Sequence, residues 1–194
     1  MPPSQASAWN IANALTVFRL ALVPVFLLAL CAAGGHATGW RVVAVGVFAV
    51  ASMTDRIDGD IARKRGLVTE FGKLADPIAD KALIGAALIG LSALRDLPWW
   101  ITVVILVREV GVTLLRFWVI RHGVIPASRG GKLKTLLQAV AIGLFVLIPI
   151  GSWLKPIAWT FMIAAVVVAL VTGVDYVVRA VRLRRSTAGA AARA

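Results

Sequence analysis

Apolar runs long enough to cross a bilayer recur from one end of this chain to the other, and they leave few folds open. They cover 15–33, 40–63 (apolar as far as Met53), 72–94, 98–121, 132–150 and 157–181. A transmembrane helix needs about 20 mainly apolar residues. Inside lipid, backbone groups must pair within the segment or around a closed barrel. Runs this long, without period-two alternation, predict helices. The fold expected is all-α: a polytopic six-helix membrane domain at 15–181, preceded by an N-terminal segment at 1–14 that enters through an interfacial helix. A basic, disordered tail is expected at 182–194. The turns between runs fall at 34–39, 95–98 and 151–156, where Gly, Pro and polar residues cluster. The first run has some features of a cleaved signal, but more membrane-length sequence follows it.

A net charge of +12 on such a chain calls for a membrane explanation. Nucleic-acid binding needs bases on a soluble face interleaved with aromatics, and no such face exists, so no nucleic-acid partner is expected. The bases sit instead at the ends of the runs. Arg63, Lys64, Arg65 and Lys73 flank one loop, Arg121, Arg129, Lys132 and Lys134 another, and Arg182, Arg184 and Arg185 open the tail. The intervening turns hold one basic residue each: Arg41, Arg95 and Lys155. The positive-inside rule then predicts that both termini and the 63–73 loop are cytoplasmic. The single cysteine, Cys31, can form no internal disulfide. His36 and His122 lack a second ligand at metal spacing, the tryptophans suit interfacial belts, and Asp175 is expected to pair with Arg179 at i+4.

Six of the nine acidic residues fall within 55–80: Asp55, Asp58, Asp60, Glu70, Asp76 and Asp80. Asp55, Asp58 and Ala62 share one helical face, as do Gly72, Asp76 and Asp80. The connection is short, so the two faces can meet at the cytoplasmic boundary. Carboxylates gathered there repel one another unless cations hold them. Hard divalent ions with oxygen ligands, Mg2+ or Mn2+, remove that penalty, and a pair of them forms a clamp for phosphoryl groups. Two other readings stand beside this one. The acids can form a salt-bridge layer with Arg56, Arg63, Lys64, Arg65, Lys73 and Lys81, or they can line the ion path of a cation or proton-coupled transporter. Gly59 and Gly72, with Ala62, remove bulk beside the carboxylates, as a ligand lying flat against the helices requires.

The pattern Asp55-x2-Asp58-Gly59-x2-Ala62-Arg63-x8-Gly72-x3-Asp76-x3-Asp80 resembles the signature of the CDP-alcohol phosphatidyltransferase family at all eight fixed positions. The resemblance implies a six-helix integral membrane enzyme, usually a homodimer, that displaces CMP from a CDP-linked lipid with the hydroxyl of a small alcohol. It implies Asp55, Asp58, Asp76 and Asp80 as ligands of two Mg2+ or Mn2+ ions, with Asp80 also the general base. It implies Asn13, Thr16, Asp58, Gly59, Ala62, Arg63 and Gly72 in the CDP pocket. Whether Asp80 or the metals activate the hydroxyl stays open, since a metal-bound carboxylate is a weak base.

Residues 10–24, marked by Asn13, Thr16, Arg19 and Pro24, resemble the phosphatidylglycerophosphate synthase branch of that family, as do the stretches VREVGVTLLR and GVIPASRGGKLKTLLQ within 107–138. This implies CDP-diacylglycerol and sn-glycerol 3-phosphate as substrates, and a bacterial-type inner (cell) membrane location with the site facing the cytoplasm. Other acceptors, inositol phosphate or the phosphatidylglycerol of a cardiolipin synthase, are the alternative. A phosphorylated acceptor needs further cations. Arg108 and Arg116 lie eight residues apart on one helix. Lys132, Lys134 and Thr135 open the next, where helix N-termini favour anions. Against this, Arg108 can pair with Glu109 or an active-site Asp, Arg116 can snorkel to the interface, and the lysines can serve only as positive-inside anchors. Transporter carboxylates belong near the bilayer midplane. Their place here, at one edge beside a basic loop, favours the enzyme.

Overall fold

The computed structural model describes residues 11–65, 70–119 and 129–191, with side chains at 14–54, 78–79, 81–115 and 133–182. Every element among them is helical: α1 Ile11–Cys31, α2 Thr38–Arg65, α3 Glu70–Ala93, α4 Trp99–Val119, α5 Arg129–Leu147 and α6 Leu154–Ala191, with single 310 turns at Ala32–Gly35 and Ile148–Ile150. The all-α class is as expected. Ala14–Gly35, Leu133–Ile150 and Leu154–Arg182 are each long and apolar enough to cross a membrane. The apolar stretches Thr38–Thr54 and Lys81–Ala93 are shorter, and α4 is interrupted by Arg108, Glu109 and Arg116.

At the N-terminal end α1 is continuous from Ile11 to Cys31, and most of the expected segment at 1–14 lies outside the described residues. At the other end a disordered tail is expected at 182–194, yet α6 continues as helix to Ala191. The sequence RLRRSTAGAA contains no proline, and Arg, Leu and Ala are strong helix formers. At 38 residues α6 is about 57 Å long, well beyond the hydrocarbon thickness of ~30 Å.

The bundle packs α1 against both α2 and α3, α5 against α6 and α2, and α4 against α6 and α3, while α2 and α3 share a smaller contact. Phe26, Leu30, Phe48, Leu88, Ile105 and Phe145 fill the centre, and small residues such as Ala44, Ala87, Ala141 and Ala158 let the helices approach closely. Phe26 and Phe48 meet with ring centroids 5.7 Å apart. The outer face is apolar too: Leu28, Val107, Leu114, Val171 and Val174 are all exposed. Water would penalise such a surface and lipid does not.

The turn after α1 runs through left-handed backbone at Ala33, Gly34 and Gly35. At Gly35 the φ of 77° favours glycine, and a Cβ there would come within 2.5 Å of the end of the Leu94 side chain, which would have to shift. α3 ends in a Schellman motif: the Asp96 N–H donates to Leu91 O at 2.9 Å and the Arg95 N–H to Ser92 O at 3.1 Å. Arg95 takes the left-handed position, φ 63°, that glycine usually fills. Arg41 joins these two turns. It is fully buried, donates from Nε to Gly35 O at 2.6 Å and from Nη2 to Asp96 Oδ2 at 2.5 Å. By charge counting Arg41 is a loop cation, whereas in the fold it is an internal cross-link.

Candidate active site

The acidic stretch is divided between two helices. Asp55, Asp58, Gly59, Ala62 and Arg63 lie in the last turns of α2, and Gly72, Asp76 and Asp80 in the first turns of α3, with four residues between the helices. The side chains of all eight lie outside the described residues, as do those of Asn13, Arg116 and Lys132. Among the described residues no group of three or more His, Cys, Asp or Glu could hold a metal ion. The donor set offered by 55–80, carboxylate oxygens only, suits a hard divalent ion rather than zinc or copper. Thr16 and Arg19, on one face of α1, are both fully buried.

Next along α3 a second polar group begins. Lys81, directly after Asp80, reaches the Thr113 hydroxyl on α4. That hydroxyl donates to Glu109 O, one turn back, at 2.7 Å. The Glu109 carboxylate meets cations from two directions: Lys134 Nζ from α5 and Arg108 Nη1 at 3.1 Å from its own helix. Arg108 is also tied to α6, donating from Nε to Ala169 O at 3.0 Å and from Nη2 to the Thr172 hydroxyl at 2.7 Å. These groups are largely withdrawn from solvent, with Glu109 13% and Lys134 8% exposed at the side chain. Charge-assisted bonds in such surroundings are the stronger kind.

Lys81, Ile84, Gly85, Glu109, Lys134, Thr135 and Gln138 wall a cavity of about 120 Å3 between α3, α4 and α5. Of the expected acceptor-phosphate residues, Lys134 and Thr135 come together here. Arg108 lies across Glu109, beside a groove shared with α6 and lined by Gly111, Gly173 and Val174. The pairing of Arg108 with Glu109, one of the alternatives left open by the sequence, is observed. So is the pair of Asp175 with Arg179, at 3.0 Å. Sequence reading named Glu109 only as a possible partner of Arg108 and missed Thr113, Gln138 and Thr172 as members of the cluster. The only local signal was helical spacing: Glu109 and Thr113, like Lys134 and Gln138, are four residues apart.

Residues 9–179 match the CDP-alcohol phosphatidyltransferase family model. A Mycobacterium tuberculosis protein named as a probable phosphatidylglycerophosphate synthase is 63% identical over 173 residues, which are 89% of this chain and 82% of that protein. A Bacillus subtilis protein named CDP-diacylglycerol–glycerol-3-phosphate 3-phosphatidyltransferase is 37% identical over 180 residues, 87% of this chain and 93% of that one. A Streptomyces coelicolor protein named cardiolipin synthase (CMP-forming) is 32% identical over 190 residues, 93% of this chain and 87% of that one.

Proposed function

The chain belongs to the CDP-alcohol phosphatidyltransferase family, and from that premise we propose that it transfers the phosphatidyl group of CDP-diacylglycerol to sn-glycerol 3-phosphate, giving phosphatidylglycerophosphate and CMP. The observation that carries this reading is the likeness, along most of both chains, to a Bacillus relative whose name states both substrates.

In the reaction the primary hydroxyl oxygen of the acceptor bonds to the lipid-bearing phosphorus of the diphosphate. The bond from that phosphorus to the bridging oxygen breaks, and the bridging oxygen leaves with CMP. The hydroxyl proton passes to a base, for which Asp80 is proposed. Asp55, Asp58, Asp76 and Asp80 would hold Mg2+ or Mn2+ ions, which supply positive charge to the diphosphate and to the departing CMP. Asn13, Thr16, Gly59, Ala62, Arg63 and Gly72 are proposed to bind the CDP moiety together with Asp58. Lys134 and Thr135, which line the cavity, are proposed to hold the acceptor phosphate with Arg116 and Lys132. Arg108 stays a candidate because its guanidinium adjoins the carboxylate that Lys134 also meets. The bases in the 63–73 and 121–134 segments support six spans with both termini and the site on the cytoplasmic side of the cell membrane, and the family resemblance supports a homodimer.

Purified protein incubated with CDP-diacylglycerol should release CMP with sn-glycerol 3-phosphate and need Mg2+ or Mn2+ to do so. Release only with inositol phosphate or phosphatidylglycerol would assign a different acceptor. Lys134→Ala should raise the acceptor KM about ten-fold, the worth of one charged hydrogen bond, and leave the KM for CDP-diacylglycerol nearly unchanged. Gly59→Leu should remove CDP-diacylglycerol binding, measured by nucleotide titration. Undiminished binding would make Gly59 a packing residue only.

A further inference from the structure

Gln138 lies in α5 with 2% of its surface exposed, lines the cavity beside Lys81, Glu109, Lys134 and Thr135, and among the described residues its Nε2 has no hydrogen-bond partner. A primary amide nitrogen carries two N–H donors. Leaving them buried and unpaired costs stability, so such a group calls for an explanation. Core packing supplies none, because Leu or Met would fill the same space without unpaired donors. In this structure the neighbouring polar groups pair with one another and not with Gln138: Lys134 and Arg108 meet Glu109, and Lys81 meets Thr113.

We propose that Gln138 is a specificity-determining residue that donates to the free secondary hydroxyl of the acceptor alcohol. The inference rests on the transfer reading above. Three observations favour a small polyol phosphate in this cavity. First, Lys81, Lys134 and Thr135 share the cavity wall with Gln138, a set of cations and neutral groups that suits a phosphate and hydroxyls better than an apolar lipid chain. Second, Lys134 and Gln138 sit one turn apart on the same face of α5, about 6 Å along the axis. A cation and a neutral donor at that spacing suit a molecule with a phosphate at one end and a hydroxyl partway along a short chain. Third, α3 brings the cavity wall at Lys81 directly after Asp80, the proposed base. A neutral amide is the right partner for an uncharged hydroxyl, whose oxygen accepts one of the N–H bonds.

The test pairs a protein change with a substrate change. The acceptors are sn-glycerol 3-phosphate and 3-hydroxypropyl phosphate, which keeps the phosphate and the reacting primary hydroxyl but lacks the secondary one. The proteins are wild type, Gln138→Leu and the unbranched Gln138→Met, each first shown to be folded by a thermal melt in detergent. Wild type should lose about ten-fold or more in kcat/KM on the deoxy acceptor. The variants should lose a similar factor on the natural acceptor and then treat the two acceptors alike, with the KM for CDP-diacylglycerol unmoved. Losses that multiply, so that the variants still discriminate, would overturn the assignment and leave Gln138 holding only water. Equal turnover of the two acceptors by wild type would overturn it as well. Failure of wild type to release CMP with glycerol 3-phosphate at all would instead overturn the transfer reading, and this inference with it.

Discussion

Asparagine in place of Asp55, Asp58 or Asp76 should leave a folded membrane protein that no longer transfers, with CMP release down by about 10²–10³-fold or more. Asn keeps the size and one oxygen of Asp but removes the charge that holds a hard cation. Removal of a single neutral donor that stabilises charge in a transition state already costs about 10²–10³ in rate, and a lost metal ligand should cost at least as much. Three variants are needed because one carboxylate can be a salt-bridge partner by accident. The measurement is CMP release over a range of Mg2+ and Mn2+, with membrane insertion checked in parallel. Partial recovery at high metal would point to weakened binding at a site that persists. Near-normal turnover in all three would end the metal-clamp reading and return the acidic stretch to the salt-bridge layer with Arg56, Arg63 and Lys64.

The largest expected stability effect lies at the other polar end of the bundle. Asp96→Ala should destabilise the protein by about 3–5 kcal/mol, the usual cost of breaking a buried ion pair by removing one partner. Arg41 is fully buried and Asp96 neutralises it. Among the described residues its Nη1 has no hydrogen-bond partner, so none of them stands ready to take over. The cation remaining after the substitution would hold its bond to Gly35 O but lose its counter-charge. Arg41→Met together with Asp96→Leu should cost much less, because no charge is then left behind. Thermal unfolding in detergent, with the double variant as the reference, checks this. Equal stability of Asp96→Ala and wild type would mean that Arg41 finds water or lipid phosphate instead, and that the link between the two turns is incidental.

What was legible in the sequence follows from short-range physics. Each apolar run carries its own reason to be helical in lipid, so the order of the helices and most of their ends could be read without knowing their neighbours. The acidic pattern was legible for the same reason, since residues three and four apart on a helix share a face wherever that helix is placed. The tail differs from expectation because position at a terminus suggests fraying, while its Arg and Ala content favours helix, and α6 runs on to Ala191. The assignments at Asp55, Asp58, Asp76 and Asp80 still rest on that local pattern, their side chains lying outside the described residues.

Only the packing of helices decided the rest. Glu109 is an ordinary neighbour of Arg108 in the sequence, yet α5 brings Lys134 onto it from 25 residues away, and α6 brings Thr172 onto Arg108 from 64. Arg41 and Asp96 are 55 residues apart, and charge counting placed the arginine in a loop. Gln138 is one more polar residue on a helix until the surrounding side chains are seen to leave its donors unpaired beside a cavity. Whether a polar side chain is paired or waiting for a ligand depends on distances across helices, and no periodicity along one chain contains them.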